Sequence, residues 1–255
     1  MQNRKTVAIF DSGIGGLTLL KECYEKVQGV DFIYLADNSN MPYGNKTEEE
    51  IFESTKQSLQ LLERYAIDAL VLACNTVTAV SIEKLRADSS FAYHILGVEP
   101  AILPALKNQK TVEYPLLLLA TEGTLKSGRM ENLLNRYCTK GQVESYACKT
   151  LATEIERNIL QLKRVNWAEF LPQGMFSGVI LGCTHYIHIK NEIQMHYKVP
   201  VFDGNLGTIN HLQKKLQIPQ KIGDFQENTV KFIGKTAIFN QKVFENIMKI
   251  NFGNG

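Results

Sequence analysis

Two cysteines of this chain sit in the same local setting, about a hundred residues apart. Cys74 closes the run Asp68-Ala69-Leu70-Val71-Leu72-Ala73-Cys74-Asn75-Thr76, and Cys183 closes Ser177-Gly178-Val179-Ile180-Leu181-Gly182-Cys183-Thr184-His185. In each, an apolar strand ends on a small residue and delivers a thiol, and hydroxyl and amide donors follow where a helix should begin. A free thiol titrates near ~8.5, and a helix N-terminus favours its thiolate. Such a group is a base in one form and an acid in the other. Two of them facing each other would flank a small substrate and move a proton from one face of a carbon to the other. A cysteine alone is more often a small core hydrophobe, and it is the paired context that favours chemistry here. Cys23, Cys138 and Cys148 lack such a turn and read as structural.

Other groups gather around these thiols in the sequence. His185, two residues after Cys183, can polarise that thiol or share its proton. A rival reading takes Cys183, His185, His188 and His196 as metal ligands, but their spacing fits no familiar zinc pattern and leaves Cys74 idle. No metal is therefore expected. Asp11 ends the strand of residues 6–10, where a carboxylate is costly unless paired or used. The turn it opens, Asp11-Ser12-Gly13-Ile14-Gly15-Gly16, is not a dinucleotide loop, because Thr18 stands where the last glycine of GxGxxG belongs. Its N–H groups and the Ser12 hydroxyl can hold an anion; equally, it is a structural turn. The loop Asp37-Asn38-Ser39-Asn40-Met41-Pro42-Tyr43-Gly44 is polar and then pinned by proline and glycine. It can close over a site or be an ordinary connection.

The elements that must position these residues follow from the patterning. Short continuous apolar runs at 6–10, 31–36, 69–73, 93–98, 116–119, 143–147 and 178–182 alternate with helical segments. One of these, at 47–65, opens with the capping box Thr47–Glu50. Such alternation predicts α/β architecture with parallel sheets, and the duplicated cysteine unit predicts two similar lobes. The segment 201–205 is expected to return the chain to the first lobe. The lobes are then residues 1–96 plus 208–255, carrying Asp11 and Cys74, and 97–207, carrying Cys183 and His185. At 255 residues, 44% hydrophobic, 21% charged and a net charge of +2, the chain gives no electrostatic reason for nucleic acid or membrane partners. Lysines gathered between positions 214 and 249 are interleaved with acids and read as a solvated face. No apolar run approaches the roughly 18 residues needed to span a bilayer, and the first residues lead straight into a strand. A cytosolic location with five free thiols is expected.

The ordered set resembles the cofactor-independent amino acid racemases, the glutamate racemases in particular. Phe10-Asp11-Ser12-Gly13-Ile14-Gly15-Gly16 is similar to that family's FDSGIGG opening, and Asp37 with Pro42-Tyr43-Gly44 to its D…PYG loop. Ala73-Cys74-Asn75-Thr76 resembles ACNT, and Gly97-Val98-Glu99-Pro100-Ala101 its EPA segment. Leu119-Ala120-Thr121-Glu122-Gly123-Thr124 resembles LATxGT, and Gly182-Cys183-Thr184-His185-Tyr186 resembles GCTHY. The resemblance implies two flavodoxin-like lobes related by a pseudo-twofold axis, with glutamate enclosed between them, no cofactor and a homodimer. It implies that Cys74 and Cys183 exchange the α-proton, with Asp11 and His185 as their auxiliaries. Ser12, Pro42, Tyr43, Gly44, Asn75, Thr76, Thr121 and Thr184 match positions that hold the substrate, and Asp37 and Glu156 further auxiliary positions. The chain departs from the pattern at Lys149 and Thr153, where prolines are usual, at Ile187 after GCTHY, at Asp203-Gly204-Asn205 and at residues 232–236.

Three further readings remain open on sequence. A racemase of the same kind could act on aspartate or a hydantoin. A two-lobed anion-binding module would leave both cysteines inert. A cysteine–histidine hydrolase would use Cys183 and leave Cys74 without a task.

Overall fold

The computed structural model describes residues 4–109, 113–218 and 227–249; positions 1–3 ahead of the first strand and Lys221 of the lysine-rich stretch lie outside them. The chain runs β1 (Lys5–Asp11), α1 (Leu17–Lys26), β2 (Val30–Ala36), α2 (Glu48–Leu59), β3 (Ala69–Leu72), α3 (Asn75–Ala87), β4 (His94–Gly97), α4 (Ile102–Asn108). It continues β5 (Leu116–Ala120), α5 (Glu122–Lys126), α6 (Gly128–Tyr137), β6 (Val143–Ala147), α7 (Leu151–Asn158), β7 (Gly178–Gly182) and α8 (Lys190–Tyr197). It closes with β8 (Val201–Phe202), α9 (Asn205–Leu216), β9 (Thr229–Ile233) and α10 (Ala237–Lys249).

Two sheets result, ordered β4-β3-β1-β2-β9 and β6-β5-β7-β8, and every paired strand is parallel. Leaving β9 aside, the sequence of pairing is the same in both: the opening strand has its immediate successor on one side and the next strand on the other. β1 corresponds to β5 and β3 to β7, so the strands that carry Cys74 and Cys183 occupy equivalent places. The strand order reverses between β1 and β3 in one sheet and between β5 and β7 in the other. Open α/β sheets bind ligands outside the carboxyl ends of such strand pairs.

The apolar runs are strands because both of their faces are covered. In β1, Val7 and Ile9 pack with Leu17 and Leu20 of α1 and Val243 of α10, while Ala8 and Phe10 pack with Ile51 of α2 and Val77 and Ile82 of α3. The period of two thus splits one continuous apolar strand between two helical layers. In the second sheet Leu117 and Leu119 face α7 and α8, and Leu116 and Leu118 face α4 and α6. The edge strand β6 keeps Glu144, Ser145 and Tyr146 exposed, a charged and irregular edge that discourages further pairing.

Val201 and Phe202 still pair with Val179 and Ile180 in the second sheet, and the chain crosses back after them. α9 then places Ile209, Leu212 and Leu216 against the α1 side of the first sheet. The capping box forms as its residues require: Thr47 Oγ1 accepts from Glu50 N at 3.2 Å and Glu50 Oε2 accepts from Thr47 N at 2.8 Å. The helix it opens is shorter than the span 47–65. It passes at Gln60–Leu62 into a 3₁₀ turn, which brings Leu59 and Leu62 onto the same buried side at a spacing of three. The helix α7 likewise gives way after Asn158, with a 3₁₀ turn following at Leu162–Arg164.

Candidate active site

Cys74 is the N-cap of α3, and Cys183 directly precedes the 3₁₀ turn Thr184–Ile189. Both sulfurs line one narrow cavity, about 30 Å³, with Ser12, Pro42, Tyr43, Gly44, Thr76, Thr121 and His185 in its wall. The strand ends bring the thiols there, and the polar loop of residues 37–44 covers it. Asn75 lies buried in the first turn of α3 beside it, and Asp11, Asp37, Glu156 and Thr184 stand behind the lining.

On the first-lobe side, Ser12 Oγ donates to Cys74 Sγ at 3.5 Å, and the backbone N–H of Val77 also points at that sulfur. Burial and the neighbouring Asp11 carboxylate push the Cys74 thiol up to about 11. Once formed, its thiolate is therefore a stronger base than an ordinary one. Asp11 is fully buried. Its Oδ1 accepts from Gly13 N at 2.9 Å and its Oδ2 from the hydroxyl of Thr184 at 3.1 Å. Burial raises its pKa, and this outweighs the lowering by His185, Gly13 N–H and Thr184.

On the second-lobe side, His185 Nδ1 stands 3.9 Å from Cys183 Sγ, and its Nε2 donates to Glu156 Oε2 at 2.7 Å. Glu156 also accepts from Ile14 N at 3.0 Å and from the side-chain amide of Asn38, both in the first lobe. Burial would raise the Glu156 pKa, yet its bond to His185, that ring's charge and Ile14 N–H hold it below the usual carboxylate range. Burial alone would strip the His185 proton, but the Cys183 sulfur and Glu156 hold its pKa well above ordinary. The pair is accordingly an imidazolium and a carboxylate, with the cation beside Cys183.

The lobes also meet through hydroxyls. Thr76 Oγ1 of α3 lies 2.9 Å from Thr121 Oγ1 and 3.2 Å from Thr124 Oγ1, and the last two are 2.9 Å apart. In the covering loop Tyr43 donates its phenol proton to Asp37 Oδ2 at 2.5 Å, and Asn40 donates to both oxygens of that carboxylate. Asp37 thus orders the loop from behind. Gly13 and Gly15 permit the close approach of the lobes: a Cβ on Gly13 would meet Glu156 Oε2 at 2.5 Å, and one on Gly15 would meet His185 Nδ1 at 2.7 Å.

Some residues fall elsewhere than the sequence suggests. Cys148, grouped above with the structural thiols, lines the cavity, because β6 ends beside β5 at the same carboxyl edge. Lys149 and Thr153, which replace family prolines, line it as well. His188 does not join a metal cluster. Its Nε2 donates to the carbonyl of Ile14 at 3.0 Å, and burial pushes it down to about 4. His196 packs edge-on against Tyr197, and among the described residues no three His, Cys, Asp or Glu side chains gather as metal ligands. Asn38, whose only signal in the sequence is its place next to Asp37, reaches Glu156 with its side-chain amide. A larger cavity of about 840 Å³ is bounded by residues 97–104 and 201–210, where the chain crosses between the sheets, but no thiol or histidine lines it. No helix among the described residues is long and apolar enough to cross a membrane.

Comparison with known proteins bears on this geometry. Residues 15–212 match the family model described as Asp/Glu/Hydantoin racemase. The chain is 32% identical over 258 aligned positions to a glutamate racemase of Clostridium botulinum, covering 98% of this chain and 96% of that one. Its structure is similar to that of Escherichia coli glutamate racemase in complex with L-glutamate and the activator UDP-MurNAc-ala. There the TM-score is 0.73 and the identity 27%, with 97% of this chain and 95% of that chain covered. The fold is also that of a glutamate racemase from Campylobacter jejuni, at a TM-score of 0.78 and 22% identity over 97% of this chain and 100% of that one. With two parallel sheets of like strand order and a thiol at each switch point, the chain belongs to the Asp/Glu/hydantoin racemase family.

Proposed function

We propose that this protein interconverts L- and D-glutamate by a two-base mechanism without a cofactor, Cys74 and Cys183 acting on opposite faces of the α-carbon. The observation that carries the reading is the shared cavity. Two sulfurs from equivalent strand ends line it, and each has its own buried acid–base apparatus behind it.

In one direction the Cys74 thiolate takes the α-proton, and the Cys183 thiol gives its proton to the other face. In the reverse direction the roles exchange. An α-proton beside a carboxylate is very weakly acidic, so a base of raised pKa and preorganised donors are both needed. The first N–H groups of α3 and α5 that are not already capped, with the hydroxyls of Ser12, Thr76 and Thr121, are suited to hold carboxylates. Asp11, held by the Thr184 hydroxyl, is the group we assign to managing the Cys74 proton. The His185 imidazolium, backed by Glu156, stabilises thiolate at Cys183 whenever that sulfur is the base. Pro42, Tyr43 and Gly44 close the cavity from the solvent side, which strengthens every charge interaction inside it. The product, D-glutamate, would serve peptidoglycan synthesis in the cytoplasm.

The test is incubation with L-glutamate in heavy water with no added cofactor, following the α-proton by NMR and the optical rotation together. Loss of both signals is the expected outcome. Flat traces on glutamate, with turnover of aspartate or a hydantoin in parallel samples, would move the substrate while keeping the chemistry. Flat traces on all of them would overturn the reading.

A further inference from the structure

The second-thiol apparatus does not end at Glu156. Glu156 Oε1 accepts from Asn38 Nδ2, and Asn38 Oδ1 accepts from the hydroxyl of Thr236 at 2.6 Å. Thr236 Oγ1 in turn accepts from Asn240 Nδ2 at 3.0 Å. Asn240 is fully buried in the first turn of α10, whose helical ladder begins with Asn240 N donating to Thr236 O at 2.9 Å.

The polarity of this chain has one consistent sense. An amide nitrogen only donates, so Asn240 occupies an acceptor site on Thr236 and leaves the threonine proton for Asn38. The carbonyl end of the Asn38 amide is thereby turned toward Thr236, and its NH₂ end toward Glu156. A carboxylate only accepts, so the same orientation is the one that Glu156 requires. Each member removes the freedom of the next, from the C-terminal helix to the ring beside Cys183.

We propose that Thr236 and Asn38 are positioning residues, through which the start of the C-terminal helix fixes Glu156 against His185 and so holds the imidazolium next to Cys183. The proposal rests on the two-thiol reading above. It makes a segment remote in sequence from both cysteines part of the proton-transfer machinery, through side chains that touch neither substrate nor sulfur. Glu156 is faced by His185 and His188 from the turn at Thr184–Ile189, by Asp11 from β1, by Ile14 N–H and by Asn38. Of these, Asn38 alone is held in orientation by the C-terminal segment. Freed from it, the Glu156 carboxylate loses one fixed donor and is no longer held in place against the His185 ring.

The experiment compares Thr236→Val, which keeps the shape and loses the hydroxyl, with Thr236→Ser, which keeps the hydroxyl. Asn38→Leu, which keeps similar bulk and loses both ends of the amide, leaves α10 unsubstituted. Thr236→Val should lower kcat about tenfold, as expected for loss of order in a charged hydrogen-bonded pair, with KM for L-glutamate changed less than about twofold. Thr236→Ser should restore kcat, and Asn38→Leu should lower it at least as far as Thr236→Val. In the NMR titration of the histidine side chains, the His185 midpoint should fall in both Thr236→Val and Asn38→Leu. That titration needs no turnover, so it reads the proposal even if the parent protein proves inert toward glutamate, an outcome that overturns only the function. A parent-like His185 titration and kcat in Asn38→Leu would overturn the positioning role, whatever Thr236→Val does to folding. So would equal kcat losses in Thr236→Ser and Thr236→Val.

Discussion

Thr184, the residue after Cys183, donates its hydroxyl across the lobe boundary to Asp11 Oδ2, 3.1 Å away, although 173 positions separate the two in sequence. The buried carboxylate beside one thiol is thus held by the immediate neighbour of the other. Removing that donor leaves a buried carboxylate less satisfied and pushes its pKa higher still. Thr184→Val should lower kcat/KM on the order of tenfold, from the loss of a hydrogen bond to a charged group worth about 1.5–3 kcal/mol. Steady-state polarimetry checks the rate, and a thermal melt should show some loss of stability as well.

The two sulfurs are expected to be individually indispensable. Cys74→Ser and Cys183→Ser should each slow racemisation by about 10²–10⁴-fold, the usual range for removing a positioned acid or base. Because each remaining thiol sits on one face only, α-proton exchange into heavy water should survive better for one enantiomer in each variant, and for opposite enantiomers in the two. Racemisation at the parent rate in both variants would remove the thiols from the mechanism.

His188 makes a prediction about stability rather than rate. It is buried and neutral, its Nε2–H on Ile14 O, with a pKa pushed down to about 4 from 6.5. Between these values the unfolded chain binds a proton that the folded one refuses, so stability rises with pH there and is lost as pH falls from about 6.5 toward about 4. At about 1.4 kcal/mol per pKa unit the full effect is roughly 3 kcal/mol. His188→Gln keeps a donor for Ile14 and cannot titrate. Denaturant unfolding at a series of pH values should show a shallower acid dependence in that variant.

Gly15 tests the closeness of the lobes. A methyl group there would lie 2.7 Å from His185 Nδ1 and close to backbone of the same turn, contacts that require the second lobe to move. Gly15→Ala should therefore cost most of the activity while leaving each sheet intact. Far-ultraviolet circular dichroism should match the parent. A fully active Gly15→Ala would show that the lobes can part by that much without penalty.

The architecture was legible because it is written in local periodicity. Short continuous apolar runs such as Leu116–Ala120 and Gly178–Gly182, alternating with helical segments, read as parallel strands covered on both faces, and the Thr47–Glu50 box announced the start of α2. The placement of a cysteine after each such run, with helix-opening residues behind it, put Cys74 and Cys183 at the carboxyl ends of strands. That much the chain determines residue by residue, since strand alternation and helix capping involve neighbours a few positions apart. Which edge of the sheet β6 joins, and hence that Cys148 enters the cavity wall, depends on strand order, and no short window of residues encodes that. Likewise the bonds of Thr184 to Asp11, of Ile14 and Asn38 to Glu156, and of Thr236 to Asn38 exist only when two separately packed lobes and the C-terminal helix come together. Hydrogen bonds are short-ranged and directional, so a partner more than a hundred residues away is chosen by the summed packing of everything between. The sequence by itself determined the two thiols and the strands that carry them; the charge and orientation of the groups behind them were decided by the tertiary structure alone.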